Sequence, residues 1–258
     1  MRTDYYIGTS GWHYEDWSKT FYPPEIKGYK ELSYHARFFN TVENNSSFYR
    51  IAGESTYKTW YRMTPDNYKF SLKLNRIITH YHKLSVDEEV KKRIEYILET
   101  TQILKEKLGA IVIQLPASFR YDLEKIRAFI PLFTKEIDKQ KYKFDVSIEF
   151  RNKYWFVDEI FSVLRMYNVA LVTGQSSRYP LEKHITADFA YIRMHGPEQL
   201  FASKYTTVQL QKWANYIKNI SHRVKKVYVY FNNDFNGYAI ENAIELKKLL
   251  SINNVPEE

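Results

Sequence analysis

The stretch FDVSIEFRNKYW, residues 144–155, runs as an apolar strand and then ends in Glu149 and Arg151, opposite charges two positions apart. Residues two apart on a strand share a face. Asp145, Ser147, Glu149 and Arg151 therefore face one way, and Val146, Ile148 and Phe150 the other. The same split recurs elsewhere. Glu43 shares a parity with Asn45 and Ser47 in TVENNSSFY (41–49), Lys73 with Ser71 and Asn75 in KFSLKLN (69–75), and Gln114 ends the polar parity of AIVIQLP (110–116). Arg193 and His195 close FAYIRMHG (189–196), and Tyr228, Tyr230 and Asn232 line one face of KVYVYFNN (226–233).

Brought together, these side chains could do acid/base chemistry. Glu43 and Glu149 supply two carboxylates, one a general base and the other an acid or orienting partner, and His195 can shuttle a proton near neutral pH. Lys73, Arg151 and Arg193 offer positive charge to a phosphate or carboxylate, while Asn45, Gln114 and Asn232 orient by hydrogen bonding. Trp12 and Trp155 follow strands, where their rings either stack on a sugar or base or pack in the core. For Glu149 and Arg151 alone, an internal salt bridge is the competing account. No cofactor is required and no metal ligand is assigned. A divalent ion on Glu43, Glu149 and His195 is the alternative ingredient, although three cations in one place oppose it. The His80 and His82 pair in ITHYH is a low-specificity metal signal.

Positioning these residues takes about eight strands. To the six runs above the chain adds YYIGTS (5–10) and VALVTG (169–174), with helices expected at 87–107, 122–138, 207–220 and 238–250. Alternation of this kind predicts an α/β fold, a (β/α)8 TIM barrel forming a single domain over residues 1–258, in which the C-terminal strand ends build the site. Ser85 with Glu88 and Thr206 with Gln209 read as capping boxes, and Gly109 as a helix stop. GQSSRYPLEKHITAD shows no helix, so the connection between strands 6 and 7 is irregular. A doubly wound open sheet fits less well, because no Gly-rich phosphate loop is present.

Hydrophobic residues make up 44% of the 258 and aromatics 17%, which excludes a disordered chain. A net charge of +8 favours an anionic partner, a small anionic or sugar-like molecule. Nucleic acid is a less favoured partner, since Lys and Arg alternate with Glu in VKKRIEYILETTQILKEKL as on a solvated helix face. The absence of Cys excludes disulfides and thiolate chemistry. Without an apolar signal core or a run of about 18 apolar residues, the expected location is cytoplasmic with no membrane partner. The oligomeric state is left open.

GTSGW, FFNTVENNSSFYR, TPDNYKFSLKLNRIITH, LGAIVIQLP, SIEFRNKYW, YIRMHG and VYVYFNN together resemble the domain of unknown function 72 family, also called YecE-like, over residues 5–250. The resemblance implies a TIM barrel and hands over no activity. It carries across Gly8, Gly11, Trp12, Glu43, Asn45, Phe48, Lys73, Thr79, His80, Gln114, Glu149, Arg151, Trp155, Arg193, His195, Gly196, Asn232 and Asn233. One position departs from it, because VTGQSS places Gly174 and Gln175 where the family pattern has an Asp. The resulting expectation is a barrel enzyme doing acid/base chemistry (hydrolase, lyase or isomerase). A metal-dependent hydrolase or nuclease and a non-catalytic binder of nucleic acid or a metabolite are the alternatives.

Overall fold

The computed structural model describes residues 3–252. Eight parallel strands close into a barrel in sequence order: β1 (Asp4–Ser10), β2 (Thr41–Asn44), β3 (Lys69–Lys73), β4 (Leu108–Gln114), β5 (Asp145–Glu149), β6 (Val169–Gln175), β7 (Phe189–Met194) and β8 (Lys226–Phe231). Around them lie α1 (Trp17–Thr20), α2 (Lys30–Phe38), α3 (Ser46–Tyr49), α4 (Glu54–Met63), α5 (Glu88–Thr101), α6 (Leu123–Asp138), α7 (Asp158–Met166), α8 (Thr207–Ser221) and α9 (Tyr238–Leu249). The expected barrel is present. Its irregular connection is too, since residues 176–188 hold no helix.

Strand parity divides the core in two. Outward residues such as Leu72, Ile111, Ile113, Val146 and Ile148 pack under the helices with Ile94, Phe129 and Leu164. Inward residues Ala110, Val112, Ala170, Val172, Tyr191, Tyr228 and Tyr230 fill the barrel itself, as layers of side chains do in this fold. Phenols within that filling need partners. Tyr230 finds Thr41 Oγ1 and Ser71 Oγ, each at 2.7 Å.

Parity sets the face but not the height. Asp145 shares the face of Glu149, yet it starts its strand and pairs at the opposite end of the barrel with Lys226 (2.8 Å) and the Tyr228 hydroxyl (2.8 Å). A cavity of about 350 Å³ opens there beside Tyr6, Lys69 and Asp145. It lies at the N-terminal face, which in barrels serves stability and not catalysis.

Three local expectations are corrected. The cap of α5 is Asp87, whose carboxylate accepts from the Val90 N–H at 2.9 Å, while Ser85 donates to Asp87. The Asp87 carboxylate already satisfies that orphan donor and Ser85 is engaged with it, so no Ser85 capping box forms. Gly109 lies inside β4, where a Cβ would stand 3.4 Å from the Tyr228 ring and 3.1 Å from Lys69 Cβ, so it serves barrel packing. The TVENNSSFY run turns into α3 after Asn44, whose carboxamide accepts from Ser46 Oγ and Ser47 N. The Thr206–Gln209 capping box forms as expected.

Barrel closure makes a test. A Cβ on Gly8 would sit 2.2 Å from the Thr41 carbonyl oxygen, so Gly8→Ala must part β1 from β2. We expect a loss of about 2–3 kcal/mol. In Gly174→Ala, whose new Cβ would have no neighbour nearer than Glu149 Cδ at 4.0 Å, the change should stay within about 0.5 kcal/mol. Equal urea midpoints for the two variants would refute the close-approach account.

Candidate active site

The C-terminal strand ends gather around one guanidinium. Arg193 reaches from β7 across the barrel, donating from Nη2 to Glu43 Oε1 at 2.7 Å and from Nε to the same oxygen at 3.2 Å, and from Nη1 to Glu149 Oε2. All three groups are at least 97% buried, which fixes the pattern as an internal network. Glu43 also accepts from Ser10 Oγ (2.8 Å) and from the Tyr191 hydroxyl (2.7 Å). Burial alone pushes the Glu43 carboxyl up, but Arg193 and these hydrogen bonds hold it below its ordinary value. The same contest leaves Glu149 well below the carboxylate range, with Arg193 and Arg151 prevailing over burial.

Past the end of β5 the parity rule lapses, yet Arg151 still turns inward. Its Nε donates to Glu149 Oε1 at 2.7 Å, and its guanidinium lies over the Tyr179 ring, 4.4 Å from the centroid. The irregular β6–β7 connection supplies Tyr179. Two carboxylates thus meet two guanidiniums, and the network is electrically closed.

Lys73 stands outside that closure. Its Nζ rests 3.9 Å from the centroid of the Phe48 ring and has no hydrogen-bond or ion-pair partner among the described residues. Burial, then the neighbouring Arg193, lower its pKa to about 7, with Glu149 opposing. His80, on the π-helical turn Ile77–Tyr81, packs edge-on against the same Phe48 ring at 4.8 Å and pairs with Thr79 Oγ1 at 2.9 Å. Burial, then Lys73, Arg151 and Arg76, lower it to about 4, so it is neutral at pH 7.

The remaining expected residues divide. His195 is buried under Phe201, its Nδ1 3.1 Å from Asn232 Nδ2 and its Nε2 3.8 Å from Glu149, beyond hydrogen-bond reach. Burial lowers its pKa, and Glu149 opposes. Gln114 sits in register with Glu149 but donates to the Leu115 carbonyl at 2.7 Å. Asn45 keeps a buried Oδ1 without a hydrogen-bond partner among the described residues. Trp12 packs edge-on against Trp60 at 5.0 Å. Trp155, a candidate either for stacking on a ligand or for core packing, is buried in the outer core. Its ring stacks on Phe150 at 4.8 Å, and Nε1 donates to the Phe119 carbonyl at 3.1 Å; the short 3-10 turn Lys153–Trp155 folds it back into the core.

Among the described residues no three His, Asp or Glu side chains come close enough to hold a metal ion. Arg193 occupies the space between Glu43 and Glu149, and His82 turns from His80 toward Asp87 and Glu89, at 3.6 and 3.5 Å. Asp234, just past β8, went unread in the sequence. Burial, with Asp16 adding, raises it to about 6, and the run NND was its only signal. Gly174, in register with Arg193, adds no third carboxylate.

Fold and site together define a TIM-barrel protein with an arginine-centred polar mouth. The profile of the family described as "Protein of unknown function DUF72" matches residues 6–258, and the chain belongs to that family. It is similar to the UPF0759 protein YunF of Bacillus subtilis, 22% identical over 96% of this chain and 95% of the relative. The crystal structure of the DUF72 protein TM1631 from Thermotoga maritima matches with a TM-score of 0.82 at 25% identity, covering 96% of this chain and 99% of that one. The D-allulose 3-epimerase of Methylomonas sp. in complex with D-allulose matches with a TM-score of 0.55 at 11% identity, over 93% and 96%, a likeness of fold alone. No helix among the described residues is long and apolar enough to cross a membrane.

Proposed function

We propose that the chain is a barrel enzyme that moves protons on a small anionic, sugar-like substrate at the mouth of the strands, in an isomerase or lyase type of reaction. The observation that carries this reading is the division of charge. Glu43 and Glu149, the acid/base pair expected from sequence, are ionised and held by arginines, so either could act as an acid only by giving up Arg193. Lys73 and His80 are left as bases with nitrogen lone pairs at neutral pH. A proton-transfer group works best when its pKa lies near the working pH, which describes Lys73. Glu43 and Glu149 then act as positioning residues, fixing Arg193 and Arg151.

Arg151 supports the anionic half of the reading. It is half-buried, and its Nη2 has no hydrogen-bond partner among the described residues, which suits a phosphate or carboxylate. The D-allulose 3-epimerase, a barrel of the same fold, makes sugars a sensible first choice for assays by fold analogy alone.

The test is solvent exchange. Phosphorylated ketoses, aldoses and 2-oxo acids are incubated with the protein in D2O and followed by proton NMR. The expected result is protein-dependent loss of a C–H signal adjacent to a carbonyl, weakened at least about ten-fold in His80→Gln. If no member of the panel exchanges or turns over, the reading fails.

A further inference from the structure

We propose that Lys73 is a nucleophile, and that its amine captures the carbonyl carbon of a small anionic aldehyde or ketone as an imine while Arg151 holds the anionic group. This rests on the proton-transfer reading of the same mouth and names the covalent chemistry that would make it work.

Four features of the site point here. Lys73 is the last residue of β3 and projects on the inward parity, at the end of the barrel where substrates enter. Among the described residues its amine makes no hydrogen bond or ion pair. The buried lysines elsewhere are anchored, as Lys107 is to the Tyr61 and Thr64 carbonyls at 2.7 Å each, whereas Lys73 Nζ meets only an aromatic face. Its counter-charges are already taken, because Glu43 and Glu149 serve Arg193 and Arg151. Finally, Arg193 from β7 and Arg151 beyond β5 both bear on it, with Glu149 and Glu43 opposing, and neutral His80 is a neighbour beyond β3.

Desolvation beside other cations is how a lysine becomes an amine at neutral pH and hence a nucleophile. Both causes act on Lys73. The step balances within the pair: a C–N bond forms, the C=O bond breaks, and the oxygen leaves as water with both hydrogens of the neutral amine. Protonation of the imine then makes the adjacent C–H acidic. His80, neutral and seated against the same Phe48 ring, is placed to take that proton. The arginines that disfavour an ammonium attract the substrate's anion, so one cluster both frees the amine and recruits its partner.

The experiment traps the adduct. The protein is incubated at pH 7 with cyanoborohydride and either dihydroxyacetone phosphate or pyruvate, then digested and mapped by mass spectrometry. Neutral dihydroxyacetone and a Lys73→Arg variant serve as controls. Lys73 should carry the reduced adduct at least about ten-fold faster than any exposed lysine, since an ordinary lysine is almost wholly protonated there. The anionic carbonyls should react faster than dihydroxyacetone, and Lys73→Arg, whose guanidinium is not nucleophilic, should lose the site. Uniform labelling of lysines, or no adduct at Lys73 with any probe, overturns the proposal. Solvent exchange that persists without a trapped adduct would leave proton transfer standing and remove the imine. An adduct at Lys73 without exchange would uphold the nucleophile and remove the proton-transfer reading.

Discussion

Arg193→Met should be close to unfolding, with a loss of about 3–5 kcal/mol in urea denaturation. The guanidinium is the centre of the network, and removing it leaves Glu43 buried with only the Ser10 and Tyr191 hydroxyls. Two hydrogen bonds do not compensate a desolvated carboxylate, so the Glu43 carboxyl should rise until it protonates. That reverses the pH dependence. In the native chain the Glu43 value is lowered, so its contribution is present above the unfolded value and lost as pH falls through the folded one. In the variant the folded value is raised, and stability is lost as pH rises through it, making Arg193→Met less stable at pH 8 than at pH 5. Adding Glu43→Gln and Glu149→Gln should recover most of the loss, because the uncompensated charge and not the missing side chain is the cause. If the triple variant is as unstable as Arg193→Met, packing of the arginine stem dominates and the electrostatic account is wrong.

The barrel and the identity of its inward residues were legible because both follow from period-two alternation, which β5, β7 and β8 keep from end to end. Glu149, Arg193 and His195 reach one mouth for that reason. Alternation does not say which cation meets which carboxylate. In sequence, Glu149 with Arg151 looks like the local pair, whereas the fold also brings Arg193 from 44 positions away. That second pairing leaves Lys73 alone, so the most reactive amine of the site was invisible until β3, β5 and β7 were set side by side. Alternation also ends where strands end. Asn45 and Ser47 leave it in α3, and Trp155 leaves it in a turn that returns the ring to the core. Tyr179, under the Arg151 guanidinium, comes from a connection with no periodicity at all.

Lys73→Met should make the protein more stable and less active at once. Methionine keeps the contact with Phe48 and removes a half-buried charge that has no acid partner, so we expect a gain of about 1–3 kcal/mol at pH 7. The gain has a defined pH course. Because the folded pKa of Lys73 is lowered to about 7, the unfolded chain binds the extra proton between that value and roughly 10.4, and native stability rises across this window. Of the groups facing Lys73, Arg193, Glu43, Glu149 and His80 hold their charge states above pH 7. The advantage of Lys73→Met should therefore be largest below pH 7 and shrink toward pH 10. Solvent exchange should fall by about 10³-fold or more, the scale expected when a nucleophile or base is lost. Opposite movements of stability and activity separate function from packing: a lysine kept for structure would weaken the fold when replaced, whereas one held unpaired for chemistry strengthens it. A destabilised Lys73→Met would mean that the ammonium has a structural partner, and the case for a reactive amine would fall with it.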